Sequence, residues 1–412
     1  HSNRCARMPD TLPNCAMGPP RHRVDCLPEP GPDALAHSAR LQALIANEIL
    51  AAGAPIPFDR FMELALYAPG LGYYVAGARK LGAAGDFVTA PEISPLFGRC
   101  LAAQCGELLV DLSGGDVLEL GAGSGALAAE LLRALTDAAA PLGSYAILEL
   151  SPELRERQRS TLTERAPHLL SRVRWLDRLP ERFSGVMIGN EVLDAMPVHR
   201  FAIADGRLME GVVRIADDGL AEDWGEPRSP GLVEAVRAIE REVGRLPDGY
   251  RSEVNLRLEP WLKAVGAALE AGGVLLVDYG YPRAEYYRAE RSAGTLLCHY
   301  RHRVHADPLR WPGLQDITAS VDFSALALAA RRAGLDLAGY TTQAGFLLAT
   351  GLDRLLAESD PADVVRHLAL VQGAKTLTLP GEMGERFKVI GLAKRLDRVW
   401  SGFAFRDLTD RL

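Results

Sequence analysis

Four stretches of this chain combine carboxylates, amides and glycines in ways that could hold or transform a ligand. In the first, the apolar residues Val117, Leu118 and Leu120 carry Glu119, then give way to Gly121-Ala-Gly123-Ser-Gly125 and a helix-forming run from Ala126 to Leu135. Glycines let a backbone turn sharply and approach a ligand with no Cβ in the way. The helix beyond points free N–H groups and its positive dipole end at the same place. In the second, SYAILEL (144–150) ends in Glu149, which could accept hydrogen bonds from ribose hydroxyls. In the third, GVMI (185–188) runs into Asn190, Glu191 and Asp194 ahead of Pro197. One helical turn would put Glu191 and Asp194 on one face, where two acids could grip a cationic substrate and take its proton. Acids at a helix start would read the same way. The fourth, residues 85–94, carries Asp86, Thr89 and Glu92, either as the rim of a pocket or as a capped loop.

Two cofactor classes use such a glycine turn. Gly121, Gly123 and Ala126 satisfy the dinucleotide pattern G-x-G-x-x-G/A. Glu119 with Gly121, Gly123 and Gly125 satisfies the acid-x-G-x-G-x-G turn of S-adenosylmethionine (SAM) methyltransferases. The acid decides between them. A carboxylate repels a pyrophosphate, whereas SAM brings a sulfonium, an ammonium and no phosphate. Glu149 also lies 28 residues after Gly121, further than the ~20 of the dinucleotide fingerprint. A βα turn with no ligand is the third reading.

These residues need strands to carry them. The pattern predicts parallel strands over 117–120, 144–150, 173–176, 185–188 and 274–278, the fourth and fifth leaving Asn190 and then Asp278 and Tyr279 at one sheet edge, where open α/β sheets bind ligands. Asp177 ends the third strand and reads as an adenine contact or a surface cap. Helices are expected over 39–50, 58–66, 96–109, 232–246 and 258–269, the last closed by Gly272-Gly273. Residues 201–215 read as a hairpin turning at Asp205-Gly206. Residues 286–312 read as a polar covering loop. Its His299, His302 and His305 sit among arginines, which opposes a metal ion. Asp322 is a helix N-cap for 323–333, residues 341–379 are mostly helical, and 383–392 is a strand at the sheet edge.

At 412 residues the chain is long enough for one large α/β domain with insertions or for two domains. A net charge of −7 argues against a general nucleic-acid binder, and no apolar run reaches the length of a membrane span. None of the six cysteines forms a C-x-x-C pair, so a reducing compartment fits and no structural metal is suggested. Residues 1–38 hold seven of the 26 prolines and no hydrophobic period. They read as disordered or as a non-native extension.

The segments FMELALYAPGLGYY, GDFVTAPEIS, LELGAGSG, ILELSPELRERQ, GNEVLDAMPVHRF, VDYGY, GTLLCHYRHRVHADPL, DITASVDF and MGERFKVI, in this order, resemble the MidA family of SAM-dependent methyltransferases from about residue 40 to 395. That family includes the mitochondrial complex I assembly arginine methyltransferase. The resemblance implies a class I, Rossmann-like seven-strand sheet with insertions covering the SAM cleft. It implies symmetric dimethylation of a protein arginine, with a complex I subunit as acceptor. On this reading the division is an extension (1–38), a helical region contributing to the SAM pocket (39–110), a methyltransferase core (111–340) with lid insertions at 216–257 and 279–315, and C-terminal helices with a final edge strand (341–412). Glu119, Gly121, Gly123 and Gly125 would hold the methionine part of SAM and Glu149 its ribose. Asp86, Thr89 and Glu92 would close the pocket, and Asn190, Glu191 and Asp194 would orient the guanidinium. No metal or nucleic acid is expected. The oligomeric state is left open, a homodimer among the options. Arginine outnumbers lysine 41 to 5, a bacterial-looking bias that suggests the cytoplasm, or the mitochondrial matrix if the source is eukaryotic. The rival readings are an NAD-dependent oxidoreductase and a non-enzymatic assembly factor that keeps the fold.

Overall fold

The computed structural model describes residues 27–76 and 89–412. Its centre is a sheet of seven main strands: β1 (Gly115–Leu120), β2 (Leu142–Leu148), β3 (Val173–Leu176), β4 (Phe183–Asn190), β5 (Leu269–Tyr281), β6 (Asp336–Thr342) and β7 (Phe387–Lys394). Their order is β3-β2-β1-β4-β5-β7-β6, and a short strand, Val321–Asp322, pairs with the end of β5. The first five are parallel, while β7 runs antiparallel to both its neighbours.

Side chains alternate across this sheet as the two-residue strand period requires. Val117, Ile147, Val186, Ile188, Val277 and Val389 face one core; Leu118, Ala146, Met187, Leu276 and Ile390 face the other. Seven helices matter to the site: α1 (Pro32–Ala52), α2 (Phe58–Tyr67), α3 (Pro95–Asp111), α4 (Ala126–Asp137), α5 (Pro152–Arg165), α6 (Leu258–Ala268) and α7 (Phe323–Arg332). Helices α3 and α4 cover the first face; α6 and α7 cover the second. Each fully buried Leu, Ile or Val contributes about 1.5–3 kcal/mol, so the two cores hold the strand ends in fixed register. A second sheet, built from the hairpin His199–Ala204 and Arg207–Ala216 with 219–225, 251–254 and 56–57, packs against α1 and α2. It turns at Asp205-Gly206 as the sequence predicts.

Five expectations are corrected. Strand β7 lies between β5 and β6 rather than at the edge. The edge strand β6 takes in Thr341 and Thr342 from the start of the stretch expected to be helical, and its sequence DLAGYTT has no clean apolar alternation to announce it. Gly272 and Gly273 lie inside β5 and do not close α6. There the backbones of neighbouring strands run so close that a Cβ on Gly185 of β4 would stand 1.9 Å from the Asp116 carbonyl oxygen. Residues 286–312 are not one loop. Leu297–Tyr300 and Arg303–His305 pair as a hairpin, and Asp316–Thr318 adds a third strand. Helix α1 also begins at Pro32, inside the segment expected to be disordered, because proline costs nothing at the first helical position. Among the described residues no helix is long and apolar enough to cross a membrane.

Asp322 caps α7 through the Ala325 N–H at 2.9 Å and pairs with Arg283 at 3.1 Å. Both side chains are largely buried. Asp322→Ala is expected to lower stability by ~2–4 kcal/mol in urea unfolding, the cap loss adding to an under-paired guanidinium. An unchanged midpoint would refute that role.

Candidate functional site

A cavity of about 750 Å³ lies at the carboxyl ends of β1, β2 and β4. The glycine turn forms its floor. Gly121, Gly123 and Gly125 have φ of +67°, +52° and +84°, a region that strongly favours glycine. At Gly125 a Cβ would also come within 3.0 Å of the Gln158 Cα on α5. Gln158 is fully buried and ties the turn together. Its amide donates to the Gly123 carbonyl at 3.1 Å and to Glu149 Oε2 at 3.0 Å, and its oxygen accepts from the Trp175 indole at 2.9 Å. The other Glu149 oxygen accepts from the Ser151 N–H at 2.9 Å. Glu119 accepts from the Tyr145 hydroxyl at 2.6 Å. Burial pushes Glu119 up to about 7 and raises Glu149 as well.

The second wall comes from the segment after β4. It is not a helical turn. Glu191 has φ +52° and donates its N–H to the Val277 carbonyl at 2.9 Å. The loop is instead held by Asp278, whose Oδ2 accepts from the Leu193 and Asp194 N–H groups at 2.9 and 3.2 Å. Tyr279 donates to Asp194 Oδ2 at 2.8 Å, and Asn190 donates to Glu191 Oε1 at 3.2 Å. Tyr67 of α2 bonds the Ala195 carbonyl at 2.9 Å. Among the described residues Glu191, Asp194 and Asp278 make no ion pair with arginine or lysine. Burial, then the neighbouring Asp194, pushes Glu191 up to about 8. Burial pushes Asp194 up to about 6, and burial followed by the other two acids raises Asp278 well above the carboxylate range. Burial and mutual repulsion favour keeping a proton among these three acids until a cation arrives.

Thr89, Glu92, Glu119, Gly121, Gly123, Glu149, Asn190 and Glu191 all line the cavity. Glu92 also accepts a hydrogen bond from Ser124 in the turn. Gly125 and Asp194 do not line it: Gly125 packs under the turn against Gln158, and Asp194 sits behind the wall on Tyr279. Asp86 lies outside the described residues. Asp177 is 87% exposed, pairs with Arg155 and is not among the residues that line the cavity. Of the three histidines, His302 stands exposed in the hairpin turn, and among the described residues no group of three metal-ligating side chains gathers. Sequence reasoning missed Gln158, Tyr67 and the bracing role of Asp278. The runs ELRERQ and LYAPGLGYY held the first two but gave no sign of which side chain faced inward.

Raised carboxylates fix the sign of a pH effect. Glu191, Asp194 and Glu119 bind protons more tightly in the folded chain than in the unfolded one. Their stabilisation is complete below about pH 4.5 and is lost as pH rises through about 6 to 8. Glu63, held at about 2 by Arg257, acts only in acid. Burial lowers His199, His299 and His305, whose contribution has the opposite sign but is complete by about pH 7. The ligand-free protein is therefore expected to melt at lower temperature at pH 9 than at pH 7. Glu191→Gln should flatten that slope and raise Tm at pH 9, as followed by thermal scans. A steeper slope in the variant would contradict the assignment.

Residues 100–341 match the family model described as "Putative S-adenosyl-L-methionine-dependent methyltransferase". The protein arginine methyltransferase NDUFAF7, mitochondrial, of Danio rerio is 30% identical over 383 residues, covering 84% of this chain and 84% of that one. The Homo sapiens protein of the same name is 29% identical over 367 residues, covering 82% and 80%. The crystal structure of a Burkholderia thailandensis protein bound to S-adenosyl-homocysteine is 47% identical and aligns with a TM-score of 0.90, covering 94% of this chain and 100% of that one.

Proposed function

This chain belongs to the S-adenosyl-L-methionine-dependent methyltransferase family, and we propose that it methylates arginine on a protein. One observation supports the cofactor's fit most directly. Glu92, Glu119, Glu149 and Glu191 line the cavity, and no lysine or arginine is among its described lining residues. A diphosphate would meet four carboxyl groups and no cationic side chain among the described lining residues there, so the dinucleotide reading of the turn is set aside. A sulfonium and an ammonium would be welcomed.

On this reading Glu119 and the bare backbone of the turn hold the amino-acid end of the cofactor. Glu149, pre-oriented by Gln158 and Ser151, takes the ribose hydroxyls. Thr89 and Glu92 close the N-terminal side, and Asp86 is kept as a proposed contact of the cofactor. When bound, SAM supplies a methyl carbon on positive sulfur, open to displacement by a nitrogen nucleophile. Little acid–base chemistry is then needed, and alignment of the reacting atoms supplies most of the acceleration. Glu191, braced by Asn190, pairs with the guanidinium and accepts the proton it releases. Asp194 acts from behind, adding negative charge and setting the loop. The division of the chain into an N-terminal region, a core with lids and a C-terminal region remains part of this proposal.

The acceptor proposed from the family resemblance is a complex I subunit, with symmetric dimethylation as the product. The relatives from Danio rerio and Homo sapiens are designated mitochondrial, which supports the matrix; the cytoplasmic expectation draws no support from them. The test is transfer of labelled methyl groups from SAM into a lysate lacking this protein, followed by mass spectrometry. Label on arginine of one polypeptide is expected. Label on small molecules alone would overturn the acceptor class.

A further inference from the structure

We propose that Tyr67, Tyr74 and Asp316, together with Glu191, form an acceptor subsite that selects a planar guanidinium over a primary ammonium. The proposal rests on the methyltransferase reading of the same cavity and assigns its acceptor half. Tyr67 and Tyr74 line the cavity on the side of Glu191. Their rings stack with centroids 5.5 Å apart and planes 20° apart. Tyr67 stays 36% exposed, so this aromatic wall is not sealed into a core.

Both hydroxyls are committed elsewhere. Tyr67 donates to the Ala195 carbonyl at 2.9 Å, and Tyr74 donates to both carboxylate oxygens of Asp316 at 2.9 Å. The rings are therefore held in place; Tyr74 packs against both Tyr67 and Tyr73, so it is the exposed part of the Tyr67 ring, and not a hydroxyl, that is left to meet a ligand. Asp316 is 2% exposed and Asp194 is 5% exposed, and Asp194 Oδ1 is buried with no hydrogen-bond partner. Aromatic surface beside buried negative charge is what a guanidinium uses. Its plane stacks on a ring and its forked N–H groups bond Glu191, which lines the cavity, while Asp316 and Asp194 lie behind that lining and add negative charge to it. A lysine ammonium is compact and strongly hydrated, and it exploits neither feature well.

The experiment uses the full chain saturated with S-adenosyl-homocysteine and titrates N-acetyl-L-arginine amide and N-acetyl-L-lysine amide by calorimetry. The arginine analogue should bind at least ~10-fold more tightly, the size of one desolvated cation–π contact. Tyr67→Leu should erase that preference, whereas Tyr67→Phe, which keeps the ring, should hold it within about threefold. Asp316→Asn, which keeps the shape of the side chain, should weaken the arginine analogue by ~10-fold and so provides a second test if Tyr67→Leu does not fold. Equal binding of the two analogues to the wild type overturns the subsite but leaves the methyltransferase reading standing. So does a preference that survives in both Tyr67→Leu and Asp316→Asn at wild-type Tm. Failure to bind S-adenosyl-homocysteine at all overturns both.

Discussion

Glu191→Gln is expected to cut methyl transfer by ~10³-fold while leaving SAM affinity within about threefold. Glutamine fills the same space and can still accept from the Asn190 amide, so the wall after β4 keeps its shape. What disappears is the charge that pairs with the guanidinium and the site that takes its proton. Because the carboxyl stands raised to about 8 without a cation, a guanidinium that ionises it would be bound partly by releasing that proton. Acceptor affinity in the wild type should therefore rise with pH up to about 8, and the variant should lose this dependence. Asp194→Asn should cost less, ~10–100-fold, since Asp194 lies behind the wall and keeps Tyr279 as a partner. A Glu191→Gln protein with wild-type turnover would remove the carboxylate from the mechanism and leave alignment alone.

The uneven legibility of this chain has a physical pattern. The strand, turn and helix around Gly121–Gly125 were readable because their hydrophobic pattern is local and glycine is required by backbone geometry, although the Gln158 and Glu92 contacts that brace the turn come from more than 30 residues away. The acids at strand ends were readable because parallel strands deliver their carboxyl ends to one edge. Contacts that close the site were not. Tyr67 reaches Ala195 and Tyr74 reaches Asp316 across 128 and 242 residues, and no local period announces either pairing. Asp278 was placed near the cleft by its strand, but its role as a brace depends on two N–H groups from another segment. The Glu191–Asp194 spacing suggested a helical turn, and that inference failed because the brace satisfies those N–H groups without one. Strand β6 was missed for a related reason. Its place is set by pairing with β7 rather than by its own composition.

Gly121→Val should lower SAM affinity by at least ~100-fold while leaving a folded protein, a loss of about 2.7 kcal/mol in binding. Gly121 differs from Gly125 in what surrounds it. A Cβ at Gly125 meets the backbone of Gln158 at 3.0 Å, so a side chain there pushes α5 off the turn and damages fold and site together. A Cβ at Gly121 meets only the Val192 side chain at 3.7 Å, because the space beside it belongs to the cavity. The φ of +67° adds backbone strain of ~1–3 kcal/mol, which should appear as a modestly lower Tm. Gly121→Ala separates the two effects: it carries most of the strain with less bulk, so it should lose stability nearly as much as valine but affinity much less. Calorimetry with SAM alongside thermal scans resolves them. If valine binds SAM as glycine does at an unchanged melting temperature, the cofactor does not lie over this turn, and the roles given to Glu119 and Glu149 go with it.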